Sequence, residues 1–414
     1  MRTHRILFFA VASFLASCQG CFGCKTSPID NPELVLVRSC ESAPPLIEPP
    51  KLDILFVIDN SNSMREEQEA VARELTGFID ELGKGGGVPS EFNVGLITTS
   101  VYLNGRLGGQ TFLVNYPRQA GKLRPIPVDL PDGGVDYDDM SKERLLNGTD
   151  PELITKFSRL VRQGTSGSGQ ETPFEAVRLA LMSELATTPL AQGGNQGFLR
   201  DGARLLVVVL TDEDDCSETA RPPTVSVGDN GAIADCTEKE MQLQTVSEYH
   251  RLFTEELKNS DGSPKEVIWT AIAPVSTVNK SAQAFVDGNQ VRNVDCPTSN
   301  QGGFRHRAMA EKFDNTLQNL DSICRASFRE TLINIAQLAS VSQVIEISNV
   351  PDENLMQFTI TRKDGAREVC TLSNSGIVNF TRNTEKGTAR VQFGNQCKRR
   401  ADDQSITIRM ICAT

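Results

Sequence analysis

The stretch Leu52-Asp53-Ile54-Leu55-Phe56-Val57-Ile58-Asp59-Asn60-Ser61-Asn62-Ser63 decides how this chain folds. Its first seven residues form a nearly continuous apolar run. That is the pattern of a strand buried on both faces of a parallel sheet, not of one with a solvated side. A short polar loop follows at once. Beyond it Val71, Leu75, Phe78 and Leu82 recur at three- and four-residue spacing, which predicts a helix from about Met64.

Outward from this segment the alternation continues. Residues 92–99 read as a strand, 153–161 and 173–185 as helices, and 205–210 (Leu-Leu-Val-Val-Val-Leu) as a second fully buried strand. A helix over 241–257, a strand over 266–273 and helices around Met309 and Leu332 come next, with 343–347 as the last strand of the series. Two long insertions, 102–150 and 274–303, interrupt it. The predicted fold is α/β over 51–350: a doubly wound, mainly parallel, Rossmann-like sheet with helices on both faces and its ligand site at the carboxyl ends of the strands. After Pro351 the pattern changes to short segments at 357–361, 377–380, 389–393 and 406–411, with Gly365, Gly376 and Gly387 as turn signals. Residues 351–414 are therefore expected to form a small β module stapled by disulfides.

The N-terminus reads as an address. Arg2, His4 and Arg5 precede an apolar run over 6–15, too short for the roughly 20 residues of a spanning helix. The run ends in Leu15-Ala16-Ser17-Cys18, which resembles a bacterial lipobox. That resemblance implies that 1–17 is a signal peptide and Cys18 the lipidated new N-terminus, anchored durably by its acyl chains. Gln19 in place of Asp implies the outer membrane of a Gram-negative cell. Residues 18–50, rich in Gly, Pro and Cys, are expected to be a tether.

Removing 1–17 takes away Arg2 and Arg5 and no acid, moving the formal charge from −11 to −13. Such acidity argues against nucleic acid and anionic lipid surfaces as partners and suits a site that holds a cation. Of 11 cysteines, ten remain once Cys18 is lipidated, and an even count in an exported chain reads as disulfides. Spacing suggests Cys216 with Cys236 and Cys296 with Cys324. The run Cys18, Cys21, Cys24 lacks a fourth nearby ligand for an iron–sulfur cluster.

Two acidic loops stand directly after the two most apolar strands: Asp59 to Ser63, and Thr211-Asp212-Glu213-Asp214-Asp215. Alternate residues of a tight loop can direct Asp59, Ser61 and Ser63 toward one point, and hard cations such as Mg²⁺ take oxygen ligands. Asp and Ser are also favoured helix N-caps, the plainer role for the same residues. Asp214 and Asp215 are expected to be solvated, with a second ion as the alternative, and the glycine-rich run 164–169 to be a flexible loop.

The Asp-x-Ser-x-Ser loop after a buried strand resembles the metal-ion-dependent adhesion site of von Willebrand factor A domains. The resemblance covers roughly 51–350. It implies that Ser61, Ser63 and a threonine touch a divalent metal, Mg²⁺ first with Mn²⁺ or Ca²⁺ as substitutes, while Asp59 and Asp212 bind it directly or through water. For the threonine we take Thr172, in Gly169-Gln170-Glu171-Thr172-Pro173, with Thr165 as its rival. The strings from Leu210 to Ser217 and Ser322-Ile323-Cys324 resemble an exported lipoprotein branch of that family. The implied partner is a protein offering an Asp or Glu carboxylate. Neither H-E-x-x-H, G-x-S-x-G nor a P-loop occurs, and His250 and His306 lie far from the acidic loops in sequence. The chain is accordingly expected to be a binding module and not an enzyme.

Overall fold

The apolar run at 52–58 becomes strand β1 (Leu52–Ile58), buried at every position. The computed structural model describes residues 24–25, 39–40, 51–84, 91–107, 110–115, 118–221, 242–287, 290–294, 296, 299, 301–348, 356–383, 388–400 and 403–411. These fall into two compact units, one of them Pro49–Ser342.

That unit is built on a six-stranded sheet. Its strands are β1, β2 (Phe92–Thr98), β3 (Leu145–Asn147), β4 (Arg204–Leu210), β5 (Val267–Ala273) and β6 (Leu320–Ser322), in the order β6-β5-β4-β1-β2-β3. Every pairing is parallel except that of the edge strand β3, which runs antiparallel to β2. The helices are α1 (Arg65–Lys84), α2 (Leu153–Leu160), α3 (Pro173–Met182), α4 (Val246–Arg251), α5 (Phe304–Phe313) and α6 (Arg329–Ser340).

Period-two alternation assigns side chains to faces. Ile54, Phe56 and Ile58 pack with Phe78 of α1, Phe157 of α2 and Leu332 of α6. Leu55 and Val57 pack with Phe174 of α3, Tyr249 of α4 and Met309 of α5. Both faces of the sheet are thus covered by helices, which is why its central strands carry no polar alternation. Phe56 meets Phe78 and Phe157 edge-on at ring-centroid distances of 5.8 and 4.9 Å. Each such buried ring contributes about 2 kcal/mol or more by area alone. The predicted helix positions Val71, Leu75, Phe78 and Leu82 are all buried.

Three expectations change. First, the insertion at 102–150 is not wholly an excursion, because it supplies β3 to the main sheet, together with a hairpin of Tyr102–Leu107 and Gln110–Asn115. Second, the strand expected at 343–347 does not close the parallel series. As β7 (Val344–Ser348) it pairs antiparallel with Thr388–Phe393 in the second unit, which takes in Gln343–Thr414. Ile345 and Ile347 are buried while Glu346 between them is exposed, a half-solvated pattern that an interior parallel strand does not tolerate. The last parallel strand is instead the short β6. Third, part of the expected tether is strand: Cys24–Lys25 pairs with Ser39–Cys40, and Ser39–Cys40 with Ser405–Ile411. The edge of that last strand offers the unpaired backbone groups that make such an addition favourable.

The second unit continues with β8 (Met356–Thr361), β9 (Arg367–Cys370), β10 (Ile377–Asn383), β11 (Thr388–Phe393) and β12 (Ser405–Ile411). These form two antiparallel sheets around Ile347, Phe358, Ile360, Val391 and Phe393. Cys370 and Cys397 are disulfide-bonded within it. In the first unit Cys296 and Cys324 are bonded as their spacing suggested. Cys216 is also in a disulfide, while Cys236, the partner expected for it, lies outside the described residues. So do 1–17, Cys18, Cys21 and Cys412. Among the described residues no helix is long and apolar enough to cross a membrane.

Candidate metal centre

The parallel register brings the loops after β1, β2 and β4 to one end of the sheet. The Asp59 amide donates to the Leu210 carbonyl at 2.9 Å, and the Thr99 amide to the Ile58 carbonyl at 3.2 Å. Asp59 is fully buried. Its Oδ1 accepts from the Ser61 amide and its Oδ2 from the Thr211 hydroxyl, each at 2.7 Å. The Ser61 and Ser63 hydroxyls lie 3.1 Å apart, and Ser63 is near enough to the Asp212 carboxylate to offset part of its raised pKa. Asp59, Ser61, Ser63 and Asp212 are therefore brought together. Among the described residues neither serine hydroxyl accepts from an amide of α1, so helix capping does not account for them.

Thr172 is tied to the same end of the sheet through Thr99. It is buried at the start of α3, and its hydroxyl donates to the Thr99 carbonyl at 3.1 Å. Its rival Thr165 instead lines an open cleft of about 500 Å³ beside Arg65, Tyr137 and Arg162. The 164–169 run is clipped and not free. The Gly167 amide donates to the Asn60 carbonyl at 2.7 Å and the Ser168 amide to the Ser100 hydroxyl at 2.8 Å. A Cβ at Gly167 would come within 2.3 Å of Asn60 Oδ1, so this close approach requires glycine. Gln68 of α1 ties the two loops together by donating to the carbonyls of Asp59 and Gly164, both at 2.9 Å.

The electrostatics are those of crowded acids. Burial, and then the charges of Asp59 and Glu67, push the Asp212 carboxyl up to about 8. Burial raises Asp59 as well. Glu171 is held well above the ordinary carboxylate range by burial and by the charges of Asp59, Glu213 and Asp212. Asp212 Oδ1, both Glu171 carboxylate oxygens, Glu67 Oε2 and Thr99 Oγ1 are buried without a hydrogen-bond partner. Leaving such oxygens unsatisfied is costly, and a proton or a cation would relieve them. The donors are all hard oxygens, the set that suits Mg²⁺, Mn²⁺ or Ca²⁺. Among the described residues no three His, Cys, Asp or Glu side chains close into a ready cage. The present set relies on hydroxyls for three of its five residues, and its carboxylates repel one another when no cation lies between them.

Asp214 and Asp215, expected to be solvated, are buried. The reason is Arg305 at the start of α5. Its backbone amide donates to Asp214 Oδ1 at 3.0 Å, and its guanidinium lies 2.9 Å from Asp215 Oδ2. Asp215 Oδ1 accepts from the Phe174 amide at 3.1 Å, and the Ser217 hydroxyl from the Glu175 amide at 3.1 Å. Asp215 and Ser217 thus take up first-turn amides of α3, the helix whose N-cap position Thr172 occupies. The second insertion reaches the same loop: the Ser299 hydroxyl donates to the Asp212 carbonyl. His306, remote in sequence, is buried beside the Glu213 backbone, and burial pushes its pKa down to about 3, so it stays uncharged at neutral pH.

Sequence reasoning missed Glu171, Thr211, Gln68 and Arg305. Glu171 and Thr211 each adjoin a residue that was singled out, so their position was a signal. Gln68 and Arg305 carried none.

No family model matches the chain, and no curated protein matches it. Among solved structures it is similar to proximal thread matrix protein 1 from the mussel byssus, at 12% identity and a TM-score of 0.32 over 72% of this chain and 50% of that one. It is also similar to the pilus adhesin SpaC from Lactobacillus rhamnosus GG, at 12% identity and a TM-score of 0.30 over 94% of this chain and 42% of that one. The pilus adhesin RrgA from Streptococcus pneumoniae gives 11% identity and a TM-score of 0.30 over 94% of this chain and 60% of that one. The chain thus spans about half the length of these proteins. At this level of superposition the architecture rests on the strand and helix order described above.

Proposed function

We propose that the chain is an exported, lipid-anchored binding protein. Its α/β unit is read as a doubly wound domain of the von Willebrand factor A type, joined through a divalent metal to a carboxylate on a protein ligand. Asp59, Ser61, Ser63, Thr172 and Asp212 would hold the metal, Mg²⁺ first. The metal would supply a Lewis-acidic point with coordination left for one Asp or Glu of the partner. The anchor is Cys18, and the outer membrane is the proposed address. The observation that carries this reading is the convergence of three strand-end loops on buried carboxylates, among which Asp212 Oδ1 and both Glu171 oxygens lack hydrogen-bond partners.

A second reading is favoured by how closed the set is. Asp59, Ser61, Asp212 and Thr172 are all buried and Ser63 alone is exposed, which suits a cation that only stabilises an envelope protein. Calorimetric titration of Mg²⁺ and Mn²⁺ into the full chain in detergent tests both. Saturable binding is expected, and it should be lost in folded Asp59→Ala and Ser61→Ala. A well-folded wild type that binds neither ion overturns the metal site. Acetate, standing in for the ligand carboxylate, should tighten Mg²⁺ binding if the bridge operates, because linkage is reciprocal. Mg²⁺ affinity indifferent to acetate leaves the stabilising cation alone.

A further inference from the structure

Glu171 has no place in the ligand set above, yet it is fully enclosed beside it. Its side chain is 0% exposed and neither carboxylate oxygen has a hydrogen-bond partner. Its backbone is fixed on both sides: the Cys216 amide donates to its carbonyl at 2.8 Å, and the next residue, Thr172, is bonded to the Thr99 carbonyl at 3.2 Å. The charges that act most strongly on it are Asp59, Glu213 and Asp212, all of one sign. Arg305, the guanidinium bound to the same loop, is engaged by Asp215 and by the Gln244 carbonyl. A solvated surface glutamate needs none of this, and one buried for packing alone would cost less as glutamine.

We propose that Glu171 is the outer-sphere carboxylate of the cation site, accepting hydrogen bonds from cation-bound water and supplying a third negative charge beside Asp59 and Asp212. The proposal rests on reading these loops as a cation site. Mg²⁺ keeps several of its waters when bound, and their hydrogens need acceptors that do not themselves have to reach the ion. Two unpartnered oxygens on a buried, backbone-fixed carboxylate provide them. The consequence is that the cation is held before any ligand arrives.

The test is titration of Mg²⁺ alone into the full chain and into Glu171→Gln and Glu171→Asp, with thermal midpoints measured in chelator. Outer-sphere partners of metal ligands are worth about 10- to 100-fold in affinity. Glu171→Gln should therefore bind Mg²⁺ about 10- to 100-fold more weakly, with Glu171→Asp between it and wild type. In chelator Glu171→Gln should melt no lower than wild type, since an unpartnered buried acid gives way to a neutral group of the same size; a retained midpoint also shows that the variant folds. Equal Mg²⁺ affinity in wild type and Glu171→Gln overturns the proposal and leaves the cation site standing. No Mg²⁺ binding in wild type overturns the site and the proposal together.

Discussion

Asp53 shows how a single residue can contradict its surroundings and still belong. It lies in the most buried strand of the sheet, fully enclosed, where an unpaired carboxylate would be untenable. Arg200 resolves this by donating from its backbone amide to Oδ2 and from Nε to Oδ1, both at 2.7 Å. Burial still outweighs the arginine, and the Asp53 pKa stays above its ordinary value. Removing one partner of such a pair costs more than the pair ever contributed, because the other charge is left behind. Arg200→Ala should therefore lower the unfolding free energy in urea by roughly 3 kcal/mol. A loss under about 0.5 kcal/mol, the range of an ordinary surface substitution, would mean that water or Lys265 takes over the role. The same logic explains what was legible at this scale. Asp59, Ser61, Ser63 and Asp212 could be read because loop chemistry shows in local order. Asp214, Asp215 and Glu171 were hidden because nothing local says whether an acid meets solvent, an arginine ninety positions away or other acids.

At the scale of elements, the strands that read most clearly were those whose whole surface is apolar. β1 and β4 ended where their apolar runs ended, because burial on both faces leaves no alternative residue choice. Strands of three residues, β3 and β6, escaped notice because so short a segment has no period to detect. Residues 343–347 were assigned to the wrong sheet because five residues of mixed pattern fit an edge of either. α3 deserves a separate prediction, since its start is held by another loop. Asp215 accepts from the Phe174 amide and Ser217 from the Glu175 amide, so the strand-end loop after β4 fixes the helix that begins at Thr172. Asp215→Ala removes a cap worth about 1 kcal/mol and also unpairs Arg305, of which only 15% of the side chain is exposed. Together these should cost about 2–4 kcal/mol, read from the urea midpoint. Calorimetry should show weakened Mg²⁺ binding in the folded variant, because Thr172 loses its registration. Unchanged affinity would separate the cap from the site.

For the whole molecule the decisive property is how stability responds to pH and cation together. Asp59 and Asp212 titrate as a buried, mutually repelling pair, and in the cation-free protein Asp212 is pushed to about 8 from an ordinary 3.8. Between those values the folded chain holds a proton that the unfolded chain has released. The slope of unfolding free energy with pH follows the protons bound by the unfolded state minus those bound by the folded, and here that difference is negative. Stability in chelator should thus fall as pH rises from about 4 to about 8, by at most about 1.4 kcal/mol per pH unit for each such proton, and level off above. His306 works in the opposite sense: its folded pKa of about 3 lies below the ordinary 6.5, so its contribution is lost as pH falls through that window. The difference between wild type and Asp212→Asn cancels the histidine and isolates the carboxylate. Saturating Mg²⁺ should flatten the wild-type decline, since the cation occupies the place of the proton and stabilises most where the acids are ionised. Urea unfolding from pH 4 to pH 9, with chelator and with Mg²⁺, gives all four curves. Wild type and Asp212→Asn running parallel in chelator would show that Asp212 reaches solvent and ionises freely. The crowding of acids at the strand ends would then carry no requirement for a cation.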